Sequence, residues 1–362
     1  MKNKKDTLLV SLVAILLGVA LGLIILIISG INPLELFKAL LRGSLGINEG
    51  SGVNLRYTGE FIVTSMPIIL TGLSVAFAYR TGLFNIGAEG QVMVGAMASI
   101  VVAICVPLPG ALHALASVIA GAVAGALWGF IPGFFKAKFN VHEVVICIML
   151  NYTGMHFANF VIKSLPGATQ SKTGIIPMTA SLRSDLLASL TNNSRLNWGI
   201  LFVILAVAAY WFIIEKTSFG YSLKATGFNK NGAEYAGLKV KKNTIYSMMI
   251  AGALAGLAGA IIALGTFQMG RVTGSFENYG FDGIAVAFVG AFNAIGIVLS
   301  GLLFGLLKVT QPLMQSAGIP KEIAEIISSS IVLFVAMQYG IKMIMNKFKR
   351  KKNEGKEGGI QR

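Results

Sequence analysis

Runs of about 20 apolar residues recur along the whole chain, and they constrain the fold more than any other feature of the sequence. An α-helix needs about 20 such residues to cross the hydrocarbon core of a membrane. The stretch 283–309 is also apolar but ambiguous, and the clear runs lie near residues 8–29, 61–79, 84–106, 112–135, 142–163, 196–214, 244–266 and 322–345. The pattern predicts an all-α polytopic membrane protein.

Composition supports this class. Hydrophobic residues make up 55% of the chain and charged residues only 12%, with a mean hydropathy of +0.74, which excludes an ordinary soluble globular protein. The net charge of +15 would suggest nucleic acid in a soluble protein. Here Lys and Arg cluster beside apolar runs, as orientation signals do, so we expect contact with membrane lipid and none with nucleic acid. The 43 glycines, several at GxxxG spacing, are typical of closely packed membrane helices.

The positions of Lys and Arg predict how the chain is oriented. Cytoplasmic segments carry an excess of these residues, which predicts a multi-pass plasma-membrane protein with both termini in the cytoplasm. We expect one transmembrane domain, 1–362, with cytoplasmic tails at 1–7 and 346–362 and a cytoplasmic loop at 215–243. The segment 164–195 is then the longest extracytoplasmic loop. It either meets a partner outside the cell or is simply solvated.

Counting crossings from a cytoplasmic N-terminus predicts about ten membrane segments. The stretch 283–309 has to enter and leave by the same face, as two short helices broken near Asn293–Gly296. Residues 61–163 and 244–345 then begin at opposite faces and fit inverted repeats, a common plan in transporters.

Two polar, Gly-containing interruptions occupy similar positions in these halves. They are Gly82–Gly87 and Tyr279–Ile284, each at the start of an apolar run. Non-helical backbone at membrane depth is tolerated only where it lines a cavity or is buried in protein. The paired interruptions therefore point to the translocation path.

Polar and ionisable groups inside apolar runs are costly, and each is by default a candidate functional group. Glu89 either lines a cavity or ties a broken helix to its neighbours, and Asp282 either serves the path or caps a helix predicted at 283–292. The candidates for the substrate pathway are Asn85, Glu89, Gln91, Asn151, Tyr152 and Asp282.

Two further patterns lie near these candidates. Asn151, Tyr152, His156 and Asn159 recur at helical spacing and predict a polar stripe on one helix face, either toward a solute or toward other helices. Aromatic residues near the predicted outer mouth either stack on a planar ligand such as a base or form an interfacial belt. These are Phe267, Phe276, Tyr279 and Phe281.

The sequence contains no motif for nucleotide hydrolysis. No G-x-x-x-x-G-K-[ST] occurs, and the Gly355–Lys356 pair is followed by Glu. We expect a transport subunit that is not an enzyme and has no cofactor of its own. Any ATP would be bound by a partner subunit.

Three stretches resemble permeases of the ribose/branched-chain-amino-acid type of ABC importer, specifically the nucleoside branch associated with BMP lipoproteins. They are GLFNIGAEGQ at 82–91, the segment 141–152 ending in MLNY, and 227–259, which opens with the polar, basic GFNKNGAEYAGLKVKK. The resemblance implies import of a small polar solute, with a nucleoside expected.

The same resemblance implies partners. Cytoplasmic ABC ATPase subunits, a second permease subunit that is identical or paralogous, and an extracytoplasmic solute-binding lipoprotein are expected. By resemblance, the ATPase-coupling residues are Asn229, Ala233, Glu234, Tyr235, Ala236 and Gly237. The alternative is an ion-coupled secondary transporter working through Glu89 or Asp282, which leaves the basic loop without a special role.

Overall fold

The computed structural model describes residues 4–48 and 52–337. Residues 1–3 of the predicted N-terminal tail, the whole predicted tail 346–362 and the end of the last predicted span lie outside this part. Within it, the chain is built from helices, with one small antiparallel hairpin of the two-residue strands β1 (Ile47–Asn48) and β2 (Gly52–Val53).

The helices in chain order are α1 Lys4–Ile28, α2 Pro33–Leu45, α3 Leu55–Arg80, α4 Ala88–Cys105, α5 Gly110–Phe139, α6 Glu143–Lys163, α7 Asp185–Leu190, α8 Gly199–Lys216, α9 Ser218–Phe228, α10 Lys230–Tyr235, α11 Val240–Ile261, α12 Tyr279–Val289, α13 Ala294–Ser316 and α14 Glu322–Ala336. A π-helical turn, Ile262–Phe267, extends α11, and a 3-10 turn, Met178–Ala180, precedes α7.

Seven helices in the described residues are long and apolar enough to cross a membrane: α3, α4, α5, α6, α8, α11 with its π turn, and α13. The apolar part of α1, Leu12–Ile28, and α12 are shorter. The all-α polytopic class predicted from the apolar runs is therefore confirmed.

The chain forms two compact units. The first contains the described residues of Met1–Ala39 and Gln311–Arg362. In it α1 packs on α14, and Gly18 of α1 lies directly against Ile331 of α14. The second unit, Leu40–Thr310, holds all the candidate site residues.

The backbones of α5 and α11 are in direct contact at the centre of the second unit. Gly121 and Gly125 of α5 face Gly252 and Gly256 of α11, and a Cβ on Gly256 would collide with the carbonyl oxygen of Gly121. Small residues allow this approach, and the resulting van der Waals contact holds membrane helices together. The GxxxG spacing thus marks a real packing surface.

The stretch 283–309 contains the predicted break, but one of its helices is not short. The chain reverses at 290–293, where Ala291 and Phe292 have positive φ angles of 51° and 56°. The helices on either side are antiparallel, since Ser300 Oγ donates to the Val286 carbonyl at 2.8 Å. The prediction of two short helices is wrong for the second, because α13 continues for 23 residues, Ala294–Ser316, through a largely apolar run.

The two predicted loops contain more structure than their composition suggested. The stretch 215–243 holds α9 and α10, whose first turns are capped by Thr217 Oγ1 and Asn229 Oδ1. The stretch 164–195 holds α7, and its backbone bonds to the segment after α11, for example from Thr173 N–H to the Gly270 carbonyl at 2.9 Å. This second stretch is therefore fastened to the unit over part of its length.

We predict that Gly256→Val destabilises the purified chain by about 1–3 kcal/mol, because the added methyl groups meet the α5 backbone. Thermal unfolding in detergent measures the change. Gly274→Val is the matched control, since a Cβ at Gly274 meets nothing within 4 Å. Equal melting temperatures for the two variants would contradict the close α5–α11 contact.

Candidate functional site

The carboxylate of Glu89 lies at the centre of the candidate site. Glu89 is the second residue of α4 and is 1% exposed. Its Oε1 accepts from the N–H groups of Glu277 and Asn278, both at 2.9 Å, and its Oε2 accepts from Gly280 N–H at 2.6 Å. The first N–H groups of a helix have no partner within the helix, and the helix dipole favours a negative charge there. Glu89 therefore caps α12 from another helix.

The predicted capping role of Asp282 is wrong. α12 begins at Tyr279, so Asp282 lies inside its first turn rather than before it. Asp282 Oδ2 instead pairs with Lys308 Nζ of α13 at 2.7 Å. Sequence reasoning missed Lys308, although a lone cation inside an apolar run was a visible signal.

Asn85 and Gln91 are buried and bonded to each other. Asn85 Nδ2 donates to Gln91 Oε1 at 2.9 Å, and Gln91 Nε2 donates back to Asn85 Oδ1 at 3.2 Å. Asn85 Nδ2 also donates to Ser74 Oγ of α3 at 3.0 Å. These amides fix the non-helical segment 81–87 between α3 and α4.

Asn151 fixes the same segment from α6. Its Oδ1 accepts from Gly90 N–H at 2.9 Å, and its Nδ2 donates to the Ile86 carbonyl at 3.0 Å. Both ends of the amide are therefore used on backbone groups that the break leaves without helical partners.

The two stretches that resemble each other in sequence lie in contact, but only the first is an interruption. Gly82–Gly87 is non-helical, whereas Tyr279–Ile284 forms the first turns of α12, so the predicted second interruption is wrong. Glu89, two residues after the first stretch, accepts a hydrogen bond from Gly280 N–H in the second. A Cβ on Gly280 would collide with the Glu89 backbone nitrogen. Absence of a side chain at Gly280 therefore allows the carboxylate to reach the helix end.

The predicted polar stripe on α6 is not a single face. Asn151 is buried and points inward, whereas Tyr152 is 54% exposed and His156 is exposed too. Asn159 bonds to both backbone groups of Thr273, at 2.7 and 3.0 Å. Successive helix residues differ by about 100°, so Asn151 and Tyr152 point to different surroundings.

A group of side chains that is only partly buried adjoins this network, with Tyr152 its most exposed member. We call Tyr152, Phe276, Phe281, Asp282 and Lys308 the aromatic surface. The ring of Phe276 lies 4.9 Å from that of Tyr152 and 5.9 Å from that of Phe281. The Asp282 and Lys308 side chains are 31% and 27% exposed.

A small cavity opens beside Glu89, with a volume of about 50 Å³. Apolar side chains of α4 and α6, such as Met93 and Met155, form much of its wall. Arg271 and Glu277 supply charges at its edge and pair with each other at 2.5 Å.

The predicted coupling residues form one helical turn, and most of its surface is exposed in this chain. Asn229 Oδ1 accepts from Gly232 N–H at 2.9 Å and so caps α10, while Ala233 is buried against the protein. The residues that follow are exposed, and Tyr235 is 98% exposed. These exposed residues are Glu234, Tyr235, Ala236 and Gly237, the last with φ +81°.

This turn is connected to the interrupted segment through α9. Gly227 lies so close to the backbone of 80–82 that a Cβ there would collide with the Arg80 carbonyl oxygen. Asn243 Nδ2 fastens α9 to α11 by donating to Ser222 Oγ at 2.7 Å and Thr226 Oγ1 at 2.9 Å.

The C-terminal end of α3 also holds the turn between α12 and α13. Arg80 Nη2 donates to the Phe292 carbonyl at 2.7 Å, and Tyr210 OH of α8 donates to the same oxygen at 2.8 Å. The rings of Tyr79 and Phe292 stack with centroids 3.9 Å apart. Side chains from α3 and α8 therefore meet at one carbonyl group of this turn.

We predict that Glu89→Gln weakens the start of α12, because one side-chain oxygen replaces two and the new amide faces a backbone N–H. The loss is about 1–3 kcal/mol. Hydrogen exchange of the 277–280 amides should quicken, while Glu322→Gln, an exposed change at the start of α14, leaves it unchanged. Unaltered exchange in Glu89→Gln would show that the carboxylate is not needed as a cap.

Comparison with known proteins assigns the family. The family described as "Branched-chain amino acid transport system / permease component" matches residues 57–336. The guanosine ABC transporter permease protein NupP of Bacillus subtilis is 46% identical, over 97% of this chain and 99% of that protein. The nucleoside ABC transporter permease protein NupB of Lactococcus lactis is 39% identical, over 96% of each chain.

A third relative carries the name of a different solute. The glucose ABC transporter permease protein TsgB13 of Haloferax volcanii is 29% identical, over 89% of this chain and 85% of that protein. No solved structure matches the chain. The family match and the near-complete coverage of the relatives show that the chain belongs to the family of branched-chain amino acid transport system permease components and is a multi-pass ABC transporter permease.

Proposed function

We propose that this chain is the membrane-spanning permease subunit of an ATP-driven importer of nucleosides. The observation that carries the proposal is the likeness, at 46% and 39% identity over nearly the whole of both chains, to permeases named for guanosine and nucleosides. The relative named for glucose is more distant, at 29% identity.

The alternative of an ion-coupled transporter finds less support. Its two proposed ion-carrying groups are committed elsewhere, since Glu89 accepts three backbone hydrogen bonds and Asp282 pairs with Lys308. The same bonds change the roles of the other pathway candidates. We assign Asn85, Glu89, Gln91 and Asn151 to the framework of the path, and Tyr152 and Asp282 to its surface.

We propose that energy comes from cytoplasmic ABC ATPase subunits that bind ATP, because the sequence has no nucleotide-hydrolysing motif. The chain then needs no cofactor of its own. A second permease subunit, identical or paralogous, completes the membrane part, and an extracytoplasmic solute-binding lipoprotein delivers the nucleoside.

The ATPase contact is assigned to α10. This turn exposes Glu234 and Tyr235 and is followed by the lysines 239, 241 and 242. A large exposed aromatic ring beside a charged group is typical of residues that anchor protein interfaces. α9 then links the contact to the backbone of 80–82, next to the segment that leads to Glu89.

Motion at the ATPase therefore has two routes from the contact to α12 and the turn that follows it. One leads from α9 through the 81–87 segment to the Glu89 cap of α12, and the other through Arg80 to the Phe292 carbonyl. Both routes pass through a close backbone approach or a hydrogen bond, as rigid-body transmission requires. Opening and closing of the path would follow from shifts of α12 and its neighbours.

We further propose about ten membrane segments, with inverted repeats at 61–163 and 244–345. The seven long apolar helices supply most of them, and α1, α12 and α14 complete the number. In this arrangement 1–362 is one domain in the plasma membrane, 215–243 and both termini are cytoplasmic, and 164–195 is outside.

Reconstitution tests the proposed function. Proteoliposomes that contain this chain, a second permease, the ATPase subunits and the binding lipoprotein should accumulate labelled guanosine only with ATP. Dissipating ion gradients should leave the rate unchanged. Uptake by this chain alone under an ion gradient would sink the proposal.

We predict that Glu234→Arg lowers copurification of the ATPase subunits at least tenfold, since it reverses a charge on the proposed contact. A tenfold loss corresponds to about 1.4 kcal/mol. Asp185→Arg reverses an exposed charge on α7 and serves as the control. The amount of chain in the membrane should be unchanged in both variants, and uptake at the wild-type rate by Glu234→Arg would count against this docking site.

A further inference from the structure

The aromatic surface joins three separate parts of the second unit. Tyr152 comes from α6, Phe276 from the non-helical segment before α12, and Phe281 from α12. Phe276 contacts both other rings, with interplanar angles of 59° and 76°. More than half of the Tyr152 side chain stays exposed beside these rings. A planar molecule arriving from outside the chain can therefore reach an aromatic face.

The charged groups of Asp282 and Lys308 indicate that the aromatic surface does not face lipid. Lys308 lies well inside the 23-residue helix α13, and Asp282 lies in the first turn of α12. Both side chains of this ion pair are partly exposed. Charges exposed to hydrocarbon are costly, and such residues almost always face protein or a water-filled cavity. This surface therefore faces water or another protein.

The lysine is held in place from several sides. Besides Asp282, Lys308 Nζ donates to the Glu277 carbonyl at 3.2 Å and lies 4.2 Å from the centre of the Tyr279 ring. The neighbouring Arg271 and Glu277 also form an ion pair, so their opposite charges offset each other. A surface whose charges are already paired suits an uncharged polar solute better than an anion such as a nucleotide phosphate.

We infer that the aromatic surface is the part of the solute path that contacts the base of a nucleoside. The exposed ring of Tyr152 stacks on the planar base, as aromatic side chains do with bases of any sequence, and Phe276 packs against the Tyr152 ring at an angle of 59°. The Asp282 carboxylate, held by Lys308, accepts a hydrogen bond from a base N–H or a ribose hydroxyl. This inference rests on the proposed function and adds the residues that the solute touches.

Photolabelling of the unaltered transporter tests the contact directly. The complete reconstituted complex is illuminated with 8-azidoadenosine, a nucleoside with a photoreactive base, during ATP-driven uptake, and the labelled peptides are identified by mass spectrometry. We expect label on peptides that carry Tyr152, Phe276 or Phe281, and we expect excess guanosine to remove it. Label confined to other peptides would overturn the inference.

Substitutions test whether the contact matters for transport. Tyr152→Leu should lower uptake roughly tenfold at saturating loaded binding lipoprotein, whereas Tyr152→Phe, which keeps the ring, should retain it. Phe212→Leu removes an exposed ring from α8 and should have no effect. ATPase copurification should stay normal in all three variants.

The outcomes separate this inference from the proposed function. Failure of the wild-type complex to take up nucleosides would refute both. Normal wild-type uptake together with normal uptake by Tyr152→Leu would refute the inference alone. The same holds if Tyr152→Cys crosslinks to the second permease without reducing uptake, because the surface would then be a subunit interface.

Discussion

The bond between the Glu89 carboxylate and the start of α12 is the interaction on which the second unit most depends. A helix that begins inside a membrane leaves backbone N–H groups without partners, and no water is present in the hydrocarbon to satisfy them. Glu89 accepts from two of these groups, Asn278 and Gly280, and from Glu277 just before them. Asn151 bonds to backbone groups on either side of Gly87, and Asn85 and Gln91 bond to each other beside them. These buried polar residues therefore maintain the break between α3 and α4 and the start of α12.

Much of the fold could be predicted from the sequence because membrane thickness imposes a length on every span. The helices α3 to α6, α8 and α11 lie where apolar runs predicted them, and the reversal before Ala294 was visible in its polar residues. The choice of cap could not be predicted in this way. Local capping rules favour an acid close in sequence, Asp282, whereas the group that caps α12 comes from Glu89, far away along the chain. Only the three-dimensional fold brings them together.

Only part of the candidate site could be predicted from the sequence, and the reason is also physical. Sequence identifies polar residues inside apolar runs but not the direction in which each one points. Asn151 and Tyr152 are neighbours in the chain, yet one bonds to backbone inside the unit and the other is exposed beside Phe276. Lys308 could not be placed from sequence, because the apolar pattern of 283–309 does not distinguish one long helix from two short ones. The structure thus divides the predicted pathway residues into those that build the framework and those that remain available to a solute.

The turn between α12 and α13 has a further consequence. Ala291 and Phe292 adopt left-handed conformations that are unfavourable for residues with side chains, and each costs about 1–3 kcal/mol. Hydrogen bonds from Arg80 and Tyr210 to a single carbonyl oxygen help to hold this conformation. Any shift that pulls either donor away removes part of what offsets the strain, and the turn then lowers its free energy by changing its conformation. The positions of α3 and α8, which carry the two donors, therefore control the conformation of the turn between α12 and α13.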